Sequence, residues 1–231
     1  MTKTIVSLAC CGILMLATAT ASWGGAGNAP PSEQEAKLIS VLTSNATLLE
    51  KTEACRELGR IGTAAAVKPL ADLLGDERLS HMARYGLEPI PDPSVDEALR
   101  DAAGRLKGRP LIGVIGSIGV RHDAKAVDLL AKYLKDSDAG VMHAAARALG
   151  SIGNIAAAKA LENVLAGTPA SGKLAVSEGL FRCAENLAAH GQRNEALAIY
   201  DGLNRAEVPQ QVREGAAKKL QAMRQAEGPR V

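Results

Sequence analysis

The chain has 231 residues, of which 47% are hydrophobic, 23% charged and only 2% aromatic, and its formal net charge is +2. That apolar fraction excludes a chain disordered throughout. So small a charge does not suggest a dedicated nucleic-acid binder. The apolar residues are mostly Ala, Leu, Val and Ile. Alanine is the best helix former, whereas strands favour aromatic and β-branched residues. Composition therefore predicts an all-helical protein with closely approaching helices.

Lys3 precedes an apolar run from Ile5 to Ala19. As a helix this run rises about 22 Å, too short for a bilayer core of roughly 30 Å. It suits a signal peptide over residues 1–21, with small residues at Ala17, Ala19 and Ala21 offering cleavage sites. The expected location is therefore exported, periplasmic or secreted, with no integral membrane span. Leu8-Ala9-Cys10-Cys11 loosely resembles a lipobox. The apolar run continues past it, so a lipid anchor is not expected. Residues 22–31, rich in Gly, Ala and Pro, read as a flexible linker. Folding should begin near Ser32, where Ser32-x-x-Glu35 has the spacing of a helix capping box.

The body repeats one phrase. Leu58-Gly59-Arg60-Ile61-Gly62, Ile115-Gly116-Ser117-Ile118-Gly119 and Leu149-Gly150-Ser151-Ile152-Gly153 are each followed by a helical apolar stripe, such as Val127, Leu130 and Leu134. A weaker copy runs from Leu187 to Gly191. Self-similarity at such a period signals stacked two-helix units. The glycines are expected where one helix ends and the chain turns into the next. Counting by equivalent leucine or isoleucine, the turns begin at 58, 87, 115, 149 and 187. The second unit departs from the pattern. A first helix over 81–88 leads to a proline-rich turn, Pro89 to Pro93, and Ser94-Val95-Asp96-Glu97 is expected to restart a helix as a capping box. Helices are also predicted from Ser32 to Leu42 and from Pro209 to Arg224.

The phrase Leu-Gly-x-Ile-Gly, then Ala-Val/Leu and Leu-x-x-Leu-Leu, resembles HEAT repeats, closest to the short bacterial subtype found in phycobilisome-lyase proteins. Asp138 with Val141-Met142-His143-Ala144-Ala145, and later Val212-Arg213-Glu214-Gly215-Ala216-Ala217, approximate that subtype's opening pattern. Met142 stands where its arginine is usual. The resemblance covers residues 46 to 225 and implies an all-α fold, a right-handed α-solenoid of the HEAT/armadillo type with about five helix pairs, over 32–226. The segment Glu195 to Tyr200 also resembles a tetratricopeptide repeat, which would make the last unit a hybrid. Residues 227–231 are read as a disordered tail. The resemblance implies a non-catalytic protein-interaction or scaffold module, with a lyase-like or cofactor-handling protein as the alternative.

Sites of chemistry are few. Gly167 to Lys173 satisfies G-x-x-x-x-G-K, but Leu174 stands where the magnesium-binding hydroxyl belongs and a helix precedes it. Gly113, Gly116 and Gly119 read as small residues that let helices approach. His81, His122, His143 and His190 lack metal-ligand spacing and the His-Glu pairs of deoxyhypusine hydroxylases, a HEAT-repeat enzyme family. Asp136 and Asp138 read as helix-start residues. Cys55 and Cys183 lie about four units apart, so two unpaired core thiols are expected. No catalytic, cofactor-binding or metal-ligating residue is assigned, and the expected partner is an unidentified protein rather than nucleic acid.

Two surface patches stand out. Lys68, Lys125 and Lys159 each fall six residues after the second glycine of their phrase, so three second helices carry lysine at one register. Asp72, Asp128 and Glu162 follow one turn later, a spacing that allows each lysine to be neutralised. The second patch is Arg84, Tyr85 and Glu88 beside the turn Ile90 to Pro93, because Arg and Tyr are enriched at interface hot spots. Arg105, Lys107, Arg109 and Arg121 add positive charge that the sequence places at loops.

Overall fold

The computed structural model describes residues 30–225. The proposed signal peptide, most of the linker and the tail lie outside them. Twelve α-helices follow in order: α1 (Glu33–Thr43), α2 (Leu48–Ile61), α3 (Ala64–Ala71), α4 (Ser80–Leu87), α5 (Ser94–Arg105), α6 (Gly108–Val120), α7 (Val127–Tyr133), α8 (Ala139–Ile152), α9 (Ile155–Leu165), α10 (Ala170–Ala189), α11 (Arg193–Arg205) and α12 (Gln210–Gln225). A 3₁₀ turn at Ala124–Ala126 leads into α7. No strand occurs among the described residues.

Every substantial helix–helix contact joins elements no more than two apart in this order. That linear adjacency makes the fold an α-solenoid. The even-numbered helices stack as one layer and the odd-numbered helices as the other. Five pairs, α2/α3 to α10/α11, are flanked by α1 and α12. The repeated leucine register supplies the core between the layers. Leu58, Leu87, Ile115, Leu149 and Leu187 are each no more than 2% exposed.

The glycines of the repeated phrase do less turning than expected. Among them Gly153, with φ 65°, and Gly191 of the weaker copy, with φ 79°, are left-handed. Gly62 ends α2 at φ −65°, and Gly119 lies within α6. His122, at φ 53°, takes the left-handed position beyond α6. The physical reason is contact between first helices. A Cβ on Gly119 would stand 2.8 Å from Ala148 Cα of α8, and one on Gly150 would stand 2.9 Å from Gly179 Cα of α10. Gly116, in the same phrase, faces open space. The expectation that all three α6 glycines let helices approach therefore holds for Gly119 only. At Gly113 the neighbour is the Arg84 side chain.

Two expected capping boxes are corrected. Ser32 accepts the Glu35 N–H at 3.1 Å, but the Glu35 carboxylate does not return the bond. It is 1% exposed and accepts from the Thr63 N–H at 2.7 Å and the Thr63 hydroxyl at 2.9 Å. A buried carboxylate needs charge-assisted donors, and the start of α3 supplies better ones than Ser32. At α5 the cap position is Pro93, already helical at φ −64°, which leaves Ser94 inside the helix. Asp92 Oδ1 instead accepts from the Ser94 N–H at 2.9 Å and its hydroxyl at 2.5 Å. These bonds hold the Asp92 carboxyl below its ordinary range. A complete box forms at α2 between Thr47 and Glu50.

Arg121 is not a loop charge. Its Nη1 donates to Glu88 O at 2.9 Å and Ile90 O at 2.8 Å, its Nη2 donates to Asp92 O at 3.3 Å, and its Nε pairs with Asp96. The side chain is 12% exposed. Arg100 similarly pairs with Asp123. The proline turn is thus fastened to the end of α6.

Two measurements check this account. Gly119→Ala should destabilise the protein by about 1–3 kcal/mol through overpacking against α8. Gly116→Ala should stabilise it by about 0.5–1 kcal/mol by removing a helical glycine. Urea unfolding midpoints of opposite sign are the expected result. Arg121→Ala should cost about 3 kcal/mol, because Asp96 and three carbonyls lose a largely buried partner, read by the same assay.

Candidate functional site

Lys68, Lys125 and Lys159 all lie on the second-helix layer and all are exposed. Their registers differ in detail. Lys68 is the fifth residue of α3 and Lys159 the fifth of α9, whereas Lys125 sits in the 3₁₀ turn. The α6 helix runs past Gly119, so the chain enters its second helix by a different path. Asp123 caps that turn, accepting the Lys125 N–H at 3.1 Å. Only Lys68 is neutralised by the acid one turn on, pairing with Asp72 at 2.9 Å. Among the described residues Lys125 and Lys159 form no ion pair.

The second patch divides. Tyr85 is 52% exposed on α4. Glu88 accepts the Ser117 hydroxyl at 2.6 Å, and its carbonyl is held by Arg121, so it belongs to the joint between α4 and α6. Arg84 lies partly buried between those helices. Its guanidinium rests on Gly113, where a Cβ would stand 2.6 Å from Nε and 2.7 Å from Cζ. Nη2 lies 3.3 Å from His81 Nδ1. Burial pushes the Arg84 guanidinium below the ordinary arginine value, with the Glu88 charge opposing the shift. Arg84 Nε is buried without a hydrogen-bond partner, which costs about 1–3 kcal/mol for an ordinary buried donor.

Beside it lies a cavity of about 330 Å³, lined by Glu77, Arg78, Ser80, His81, Arg84, Arg109 and Pro110. The loop before α4 brings Arg78, pinned by Asp76, whose Oδ1 accepts from the Arg78 and Leu79 N–H groups at 2.8 and 3.1 Å. The first turn of α6 brings Arg109. That turn has no acidic residue, and its cap residue Lys107 makes no side-chain capping bond. Sequence reasoning singled out Arg84 and left Arg109 among loop charges. The available signal was the unit spacing, which places the residues around Arg84 level with those around Gly113.

The other expected features are also located. Asp136 and Asp138 each accept a backbone N–H two residues on, at 2.8 Å, and Asp138 caps α8. His122 Nδ1 lies 2.6 Å from Ser151 O and His143 Nε2 lies 3.2 Å from Ser171 O, so these rings join successive units. Lys173 lies inside α10, where the G-x-x-x-x-G-K segment forms a turn and a helix start. Among the described residues no three metal-ligating side chains cluster, and no helix is long and apolar enough to cross a membrane. Cys55 and Cys183 are buried free thiols. Burial pushes Cys55 up to about 11 and Cys183 up to about 12.

Comparison with known proteins fits this geometry. Residues 110–180, from α6 into α10, match the family described as HEAT repeats. The protein is an α-solenoid whose central units carry that match. No curated protein sequence matches significantly. An engineered protein solved by a structural genomics consortium is 21% identical, with a TM-score of 0.48 over 84% of this chain and 98% of that one. A designed armadillo repeat protein is 18% identical, with a TM-score of 0.45 over 81% and 98%. Human deoxyhypusine hydroxylase in complex with glycerol is 18% identical, with a TM-score of 0.37 over 83% and 84%.

The thiol shifts give a check. A thiol whose folded value is raised contributes stability that is fully present below the unfolded value and is lost as pH rises through the folded one. Stability should therefore be insensitive to Cys55 and Cys183 up to about pH 8.5 and fall above it. Alkylation of the native protein at pH 8, followed by peptide mass spectrometry, should leave both residues unmodified until denaturant is added.

Proposed function

We propose that this protein is a non-catalytic interaction module of HEAT-repeat type, of the short bacterial subtype, acting in the cell envelope or secreted space. Its partner is a protein with an acidic segment. The observation that carries this reading is the row of exposed lysines on the second-helix layer, two of which lack an internal counter-charge. Two helices and a capped 3₁₀ turn hold these groups in place, so binding orders little of the module itself. Exposed charges of this kind govern encounter rate and partner choice more than raw affinity. Tyr85, with Arg84 and Glu88 behind it, offers a second contact point on the other layer.

A photo-crosslinking residue placed beside Lys125 or Lys159 in the native envelope should yield a discrete protein adduct. The triple charge reversal Lys68→Glu, Lys125→Glu and Lys159→Glu should abolish it while circular dichroism stays unchanged. An adduct insensitive to reversal would remove the lysine row from the interface. Recovery of the protein only from the cytosolic fraction would remove the envelope assignment.

A further inference from the structure

The cavity between α4 and α6 has a chemistry that the interaction surface does not use. Three guanidinium groups, Arg78, Arg84 and Arg109, line it together with His81 and the Ser80 side chain, against a single carboxylate, Glu77. None of the three arginines forms an ion pair among the described residues, whereas Arg100 and Arg121 are each paired with an aspartate. Arg84 is held in place rather than waving in solvent. Gly113 makes room for its guanidinium, and Nε has no partner. Ser80 is 7% exposed, and its hydroxyl has no hydrogen-bond partner among the described residues. The unpartnered Ser80 hydroxyl and the excess positive charge therefore border one concavity, without an acid in the first turn of α6 to offset them.

We propose that this cavity binds a phosphate-type oxyanion, either free or as the terminal group of a phosphate monoester. Planar guanidinium forks match such an anion geometrically. A dianion with both charges on one group balances three arginines and one glutamate, whereas each carboxylate of a dicarboxylate brings only one charge to the site and leaves it more strongly positive. A volume of about 330 Å³ admits the anion with a small organic group attached. This site is separate from the lysine row, so its fate does not decide the proposed partner.

The test is a titration of the isotopically labelled full chain at constant ionic strength, followed by backbone amide shifts. The probes are inorganic phosphate, glycerol 3-phosphate and succinate. Saturable shifts confined to residues 76–84 and 107–113 are expected with the two phosphates and not with succinate. Tighter binding of the ester would identify a phosphate carried on a larger molecule, and tighter binding of inorganic phosphate a free one. Arg109→Ala, at an exposed position, should weaken binding at least tenfold with the spectrum otherwise intact. Gly113→Ala, which displaces the Arg84 guanidinium without removing a charge, should weaken it also. Absence of saturation by 20 mM, succinate binding as well as phosphate, or unchanged affinity in Arg109→Ala would overturn the proposal.

Discussion

The structure depends on how closely the backbones of its first helices approach one another. A methyl group has no room at Gly119 beside Ala148, at Gly150 beside Gly179, or at Gly179 beside Ala146 O. These contacts fix the spacing of α6, α8 and α10. Close approach multiplies small dispersion contacts along the whole length of each pair. The second helices then fill the other side of each unit with leucine and valine, and each unit leans only on its neighbours. In such an array stability is close to a sum of unit and interface terms. No distant closure is required, and the two ends need never meet.

The second unit breaks this regularity, and the charged features gather there. The α4 helix spans only Ser80–Leu87, followed by a turn with three prolines between 89 and 93. A short helix leaves space at its N-terminal end, which Arg78, His81 and Arg84 share with the first turn of α6. At its C-terminal end, Glu88 and the turn carbonyls are taken up by Ser117 and Arg121. One end of the joint is thus saturated with partners and the other is rich in donors without them. The lysines of the opposite layer differ in kind, being exposed and screened by solvent.

What was legible in the sequence was whatever repeats. The leucine register, the number of helix pairs and the ends of α1 and α12 to within a residue follow from period and local turn chemistry. Most of what was not legible depends on partners about thirty residues away, and one cap on its immediate neighbour. Glu35 has the sequence position of a capping residue, but its carboxylate serves Thr63. Ser94 has the spacing of a cap, but Pro93 occupies that place. Arg121 lies two residues after Gly119 at a helix end and resembles a surface charge, but Asp96 and three carbonyls enclose it. The lysine register was visible because it recurs with the period. Its consequence was less so, because only Lys68 meets its acid. The cavity beside Arg84 was invisible, since it requires the start of α6 to lie over the start of α4.

The Arg121 clasp also limits which sequences this joint accepts. Its acceptors are two carboxylate oxygens and three carbonyls spread over the plane of one guanidinium. A lysine would keep the charge, but its ammonium is a compact point that cannot span that fan. At this position conservation of charge is therefore not conservation of structure, and the polyproline corner is braced by shape as much as by electrostatics.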